Sequence, residues 1–418
     1  MQSGWRVGTL FNIPLFIDNP WFLIVLLIAF SYGNDTSIIE LIGPGGAWAF
    51  GFVYALGLFS SVLLHELGHS LVAQSQGITV NSIKLFLFGG VASIERESKT
   101  PEGAFKVAIA GPAVSIALFI IFLFVGRSIQ LPEAAALMIG QLANINLVLA
   151  LFNMIPGLPL DGGQILKAAV WKATNSRTAG VRWAARSGQF FGWGAIALGL
   201  VLSLNPALGL FAGLWPALIG LFILRNASAY KRMNTLQEEL TKIKTSDAAI
   251  RDFRVLDANM TLRQFADEYL LNAETLEQLS DDSKTKQSKP APIYFASSDG
   301  RYRGLVSIEG LRQVERSEWE HQTLQSIAQP LLEIPHVSEN TPLTEAIQLM
   351  EEQKIPRLTV LTPADSVAGT LDRGDIVRAL AKQLKFPVTE AIIQKIKEEG
   401  AYPAGLQLGA IVQSIEKA

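Results

Sequence analysis

The sequence predicts a polytopic α-helical membrane domain followed by a soluble α/β module. Three observations carry this expectation. Six apolar stretches lie in the first part of the chain, at roughly 20–32, 48–72, 104–126, 134–156, 188–204 and 207–225. Charge is uneven: residues 1–226 hold 21 of the 72 charged side chains, and the remaining 192 residues hold 51. The charge-rich part contains two similar units, each reading strand, turn, strand, helix.

Each apolar stretch reads as a span. Crossing the hydrocarbon takes about 20 residues, fewer where the bilayer thins or flanking side chains anchor the ends. The short first and fifth stretches qualify on that basis. Asn205-Pro206, between the last two, reads as a tight turn. Lysine and arginine set the orientation. With the N-terminus inside, the outer loops 33–47, 127–133 and 205–206 carry one basic residue, Arg127, whereas the inner segments carry thirteen. Both termini are therefore expected in the cytosol. The first twenty residues lack a basic region leading into an apolar core and a small-residue cleavage site, so no cleavable signal peptide is expected.

Composition narrows the chemistry. The net charge of -2 and pI of about 6.2 give no sign of a nucleic-acid partner, and none is expected. There is no Cys, so disulfides and thiolate metal sites are excluded, and any metal is held by imidazole, carboxylate or amide groups. The chain has four histidines: His65, His69, His321 and His336.

Two of them follow the uncharged run Trp48–Leu64 directly, in "HELGH". Ionisable residues at the end of a membrane helix are costly, and packing does not explain three together. On a helix, positions i and i+4 share a face. His65 and His69 can then present two imidazoles to one ion, with Glu66 beside them facing a water. That is the H-E-x-x-H arrangement of zinc hydrolases. Gly68 inside the motif lets another helix approach closely. A catalytic zinc also needs a third protein ligand. Asp161 is the only carboxylate between Glu133 and Glu238, and it follows the fourth stretch in "PLDGG". The expected topology brings that stretch down on the same side as His65 and His69. The alternative reading of Asp161 is a turn residue ahead of Gly162-Gly163. Pro156 and Pro159 break the helix there, and irregular backbone at membrane depth is tolerated only around a cavity.

"HELGH" followed by "NMIPGLPLDGG" (Asn153–Gly163) resembles the site-2 protease family of intramembrane zinc metalloproteases, whose pattern is H-E-x-x-H and then N-x-x-P-x-x-P-L-D-G on a later span. "AGPAVS" (Ala110–Ser115) resembles the Gly-Pro segment of that family's intervening span. "LFLFGGVASIE" (Leu85–Glu95) resembles its membrane-associated β-hairpin. The resemblance covers residues 1–226. It implies about six transmembrane helices with a small membrane-associated β-hairpin and one zinc ion per chain. His65, His69 and Asp161 are implied as metal ligands, Glu66 as general base, and Asn153 as a residue that holds the substrate backbone or the oxyanion. The implied substrates are single-pass membrane proteins, whose helix must unwind locally to expose a bond. The strand carrying Gly89 and Gly90 could take that extended stretch by edge addition; the alternative is a plain hairpin on the membrane surface.

Residues 227–244 read as a linker helix, 245–330 and 331–388 as the two similar units, and 389–418 as a terminal helix and tail. "NMTLRQFADEYLL" pairs with "NTPLTEAIQLMEEQ", and "PIYFASSDGRYRGLVSIEGLRQV" with "IPRLTVLTPADSVAGTLDRGDIVRAL". The pair resembles tandem cystathionine-β-synthase-type (CBS) domains, which often sense adenine nucleotides. In such domains the last strand ends G-x-x-[ST]-x-x-D. Here the first copy has Gly304, Ser307 and Gly310, lacking the acid, and the second has Gly369, Asp372 and Asp375, lacking the hydroxyl. Ser307 and Asp375 are thus the candidate nucleotide contacts of two incomplete sites. Weak or absent adenine-nucleotide binding is expected, with a regulatory or homodimerising role for the module. "SDDSKTKQSKPAP" (Ser280–Pro292) reads as a polar insertion.

The reading is an integral, multi-pass zinc metalloprotease of a bacterial-type inner membrane, cleaving membrane-anchored regulators. Two rivals are a CBS-regulated ion transporter and a catalytically inert scaffold. Neither explains Glu66 beside His65 together with the intact second motif.

Overall fold

The computed structural model describes residues 4–86, 89–204, 210–271, 292–403, 406, 408–409 and 411–412. Two compact units divide between Thr235 and Leu236. The expected turn at Asn205-Pro206 and all but the last residue of the polar insertion lie outside the described residues.

The first unit opens with a β-hairpin, β1 (Trp5–Leu10) and β2 (Ile13–Ile17). Its two turn residues, Phe11 and Asn12, both have positive φ (50° and 63°), the twist that suits a two-residue hairpin loop. β2 pairs in parallel with β3 (Val80–Phe86), which pairs antiparallel with β4 (Gly89–Ile94). The four strands form one sheet in the order β1-β2-β3-β4. The hairpin expected over Leu85–Glu95 is therefore half of a larger sheet, and its first strand begins five residues earlier.

Among the described residues seven α-helices follow in chain order, α1 (Asn19–Gly33), α2 (Thr36–Ser75), α3 (Pro101–Ser128), α4 (Glu133–Asn153), α5 (Asp161–Thr174), α6 (Arg177–Leu204) and α7 (Leu214–Lys242), the last continuing past Thr235. Local chemistry sets their starts. Asp35 accepts from the Ser37 and Ile38 amides at the head of α2. Thr100 accepts from the Gly103 amide at 3.1 Å, and Pro101 takes the first position of α3. Inside α2, Gly43 (φ 78°) and Pro44 break the helix, so its straight part begins just ahead of the second apolar stretch.

By length and composition, α2, α3, α4 and α6 can cross a membrane. Of the six stretches expected, the first is the shorter apolar α1, and the sixth lies partly in α7, whose second half is polar. The expected linker helix is the continuation of α7. Phe124, Phe190 and Leu204 are about 70% exposed, an arrangement that water would penalise and lipid accepts. The core lies where the sheet meets α2: Ile13, Ile78, Val80 and Ile83 pack on Leu67 and Ala73, while Trp21, Val25 and Leu85 pack on Phe59 and Val62. The sheet thus lies against the stretch of α2 that carries the histidines.

The second unit repeats one topology. β5 (Phe253–Asp257) pairs in parallel with β6 (Ile293–Ser298), which pairs antiparallel with β7 (Arg301–Val306). β9 (His336–Ser338) likewise pairs in parallel with β10 (Arg357–Leu361), and β10 antiparallel with β11 (Val367–Asp372). The first copy has an extra short strand, β8 (Ala328–Gln329), beside β7. Leu236 and Leu240 at the end of α7 and Ile243 just after it are core residues of this unit, as are Ile393 and Ile396 of the helix Glu390–Glu399.

Candidate metal centre

His65 and His69 are 3% and 8% exposed on α2. Their Nε2 atoms lie 3.3 Å apart. Asp161, the first residue of α5, places Oδ2 3.1 Å from His65 Nε2 and Oδ1 3.3 Å from His69 Nε2. The donor set fits zinc. Bonds of about 2.0–2.1 Å in a tetrahedron put neighbouring ligand atoms about 3.3 Å apart.

The outer hydrogen bonds fit as well. His69 Nδ1 donates to the Val107 carbonyl at 2.6 Å, which leaves the Nε2 lone pair facing inward. His65 Nδ1 lies 2.9 Å from the Ser115 hydroxyl. Both partners belong to α3. Two inward-facing imidazole nitrogens beside a carboxylate call for a cation between them.

Backbone proximity positions each part. α3 crosses α2 at Gly68, where an added Cβ would fall 2.9 Å from the Ala110 carbonyl oxygen. The Pro156–Leu160 turn lies under the start of α5. A Cβ on Gly162 would strike the Met154 carbonyl, and one on Gly163 the backbone of Gly157 and Leu158. Only glycine fits at these two positions, and their fit brings Asp161 to the histidines.

Glu66 faces β4. A Cβ on Gly90 would fall 2.7 Å from Glu66 Cγ, and Gly89 takes φ 139° beside Val62. The structure therefore unites His65, Glu66, His69, Asp161 and Gly90 around one point. Asn153 ends α4, eight residues before Asp161, and makes no side-chain hydrogen bond to the three donors.

Three groups were missed from sequence. Ser115 had a readable signal: it is the one polar side chain between Lys106 and Arg127 in α3. The Val107 carbonyl, being backbone, had none. Asn146 is fully buried on α4 and donates to Ser61 Oγ at 2.9 Å, one turn before His65 on α2.

The candidate nucleotide residues sit in the second unit. Ser307 caps a helix, accepting from the Gly310 amide at 3.0 Å. Asp375 is 3% exposed, with Oδ1 2.7 Å from Lys397 Nζ and 3.1 Å from Arg378. Lys397 also reaches Asp372 at 3.0 Å. These two carboxylates already hold a cation from the helix Glu390–Glu399.

Comparison with known proteins gives the family. The model of peptidase family M50 matches residues 53–140 and 130–193, and that of the CBS domain matches 327–382. A Synechocystis protein bearing the name of a zinc metalloprotease is 42% identical over 382 residues, covering 91% of this chain and 96% of its own. A Mycobacterium tuberculosis protein with a zinc metalloprotease name is 31% identical over 87% of this chain and 90% of its own. The solved site-2 protease from Methanocaldococcus jannaschii is 30% identical and matches 55% of this chain and 95% of its own, with a TM-score of 0.40. Relatives of this identity along nearly the whole length, with a His-His-Asp group able to hold a metal ion, place the chain in peptidase family M50, the site-2 family of zinc-dependent intramembrane metalloproteases.

Proposed function

We propose that this protease hydrolyses a peptide bond in or near the transmembrane helix of single-pass, membrane-anchored regulatory proteins. The observation that carries the reading is the position of Glu66 between the metal donors and β4. Zinc, when bound, supplies Lewis-acid polarisation of the scissile carbonyl and a water activated at neutral pH. Glu66 takes a proton from the attacking water on its carboxylate and delivers it to the leaving amine nitrogen. β4 pairs with β3 on one side, and among the described residues no strand pairs with its other edge. A locally unwound substrate adds to that edge, beside Glu66. Asn153 steadies the substrate backbone or the oxyanion.

The finer organisation belongs to the same proposal. α1 and the apolar half of α7 join the four long helices as six spans of a bacterial-type inner membrane, with both termini cytosolic. Residues 1–226 form the protease, 227–244 a linker, 245–330 and 331–388 two CBS units that dimerise or regulate, and 389–418 a terminal helix and tail. The pairing of Asp372 and Asp375 with Lys397 supports weak or absent adenine-nucleotide binding there.

The test compares the membrane proteome of cells carrying the native chain with that of cells carrying Glu66→Gln. A small set of single-span proteins should persist uncleaved only in the variant. Identical proteomes would remove the proposal.

A further inference from the structure

We infer that Glu97 is a positioning residue that ties β4 to the helix carrying Asp161, joining the two halves of the site through one carboxylate oxygen. The inference rests on the protease reading, and no relative's name points to it.

The segment after β4 alternates its partners. The Glu95 amide donates to the Thr79 carbonyl at 2.9 Å, extending the ladder. Arg96 donates to the Gly77 carbonyl at 3.3 Å, and the Ser98 hydroxyl donates to Gln76 Oε1 at 2.8 Å, so both fasten the segment to the end of α2. Glu97 bonds instead to α5 and α6. Its Oε2 accepts from Lys167 Nζ at 2.9 Å and from Arg177 Nε and Nη2 at 3.1 and 2.9 Å. Lys167 lies six residues beyond Asp161 on α5 and is 3% exposed; Arg177 is the first residue of α6. α6 closes over Lys167, because a Cβ on Gly180 would strike the Lys167 carbonyl.

A lysine this buried needs an anion, and Glu97 is the one bonded to it. Arg96 and Ser98, on either side of Glu97, bond back to the end of α2, whereas Glu97 reaches α5 and α6. One short segment therefore fixes β4 to the end of α2 through Arg96 and Ser98, and to α5 through Glu97. β4 in turn lies against Glu66, where a Cβ on Gly90 would fall 2.7 Å from Glu66 Cγ. The general base, the strand beside it and the carboxylate ligand share one frame that closes at Glu97.

The test uses the full-length, zinc-loaded chain in nanodiscs. Its cleavage probe is a single-span protein with a Gly-Pro pair in the span. Glu97→Gln keeps the shape and strands Lys167. Glu97→Gln with Lys167→Met removes the stranded charge and serves as the control for folding. Amide exchange over residues 89–95 should quicken tenfold or more in both variants, with α3 unchanged. In the double variant, zinc content should stay within twofold of native while cleavage falls at least tenfold. Unchanged exchange at 89–95, or native cleavage by the double variant, would overturn the inference. A native chain that neither holds zinc nor cleaves would sink the protease reading instead, and the exchange result would still decide the role of Glu97.

Discussion

Gly111 shows how narrowly the donors are set. A Cβ there would meet His69 Nε2 and lie 2.7 Å from His65 Nε2, crowding the atoms that would hold a metal. Gly111→Ala should therefore cost zinc affinity outright, read by competition with a chelator. Ser115→Ala leaves that space intact and removes the partner of His65 Nδ1, so a milder loss of roughly 10–100-fold in affinity or activity is expected. Equal effects of the two changes would contradict this account of the outer hydrogen bond. Glu97 adds a pH dependence. Burial pushes its carboxyl up, but Lys167 and Arg177 outweigh that and hold it at about 2, below the ordinary 4.5. A depressed carboxyl contributes stability that is complete above about 4.5 and lost as pH falls towards 2. Acid should loosen the 89–98 segment in that window, and Glu97→Gln should abolish that acid step.

At the scale of elements, the sequence was most legible where a pattern repeats or a charge interrupts an apolar run. His65 and His69 were readable as a pair because i and i+4 share a helix face, with Glu66 directly beside them. Asp161 was readable because its long surroundings contain no other carboxylate. The hairpin at Gly89-Gly90 was visible only by resemblance, and the parallel pairing of β2 with β3 was not visible at all. That pairing joins residues nearly seventy positions apart, which no local periodicity records. The continuation of α7 was read as a separate linker because its apolar face changes role there, not because the helix stops. Gly90 offers a test of the strand's place. Gly90→Val puts a branched side chain against Glu66 Cγ and should abolish cleavage while leaving zinc bound. Normal cleavage by this variant would separate β4 from the chemistry.

At the scale of the molecule, the thirteen-to-one bias of basic residues predicts where each segment lies. Reporter fusions after Leu41 should report the outside, and fusions after Lys172 and Lys231 the cytosol. The reverse pattern would move the metal centre to the other face of the membrane. The second unit makes a separate prediction. Its acids are occupied by Lys397, so calorimetry on the full chain should show no micromolar affinity for ATP or AMP. The central claim, that three side chains hold zinc and a fourth moves the proton, is tested by measuring zinc content and membrane-helix cleavage together in Glu66→Gln and Asp161→Ala. Glu66→Gln should keep its zinc and lose cleavage by about 10²–10⁴ or more, the usual worth of a general base. Asp161→Ala should lose zinc itself, because two imidazoles remain. Zinc lost from Glu66→Gln and fully kept by Asp161→Ala would contradict the assignment of base and ligand.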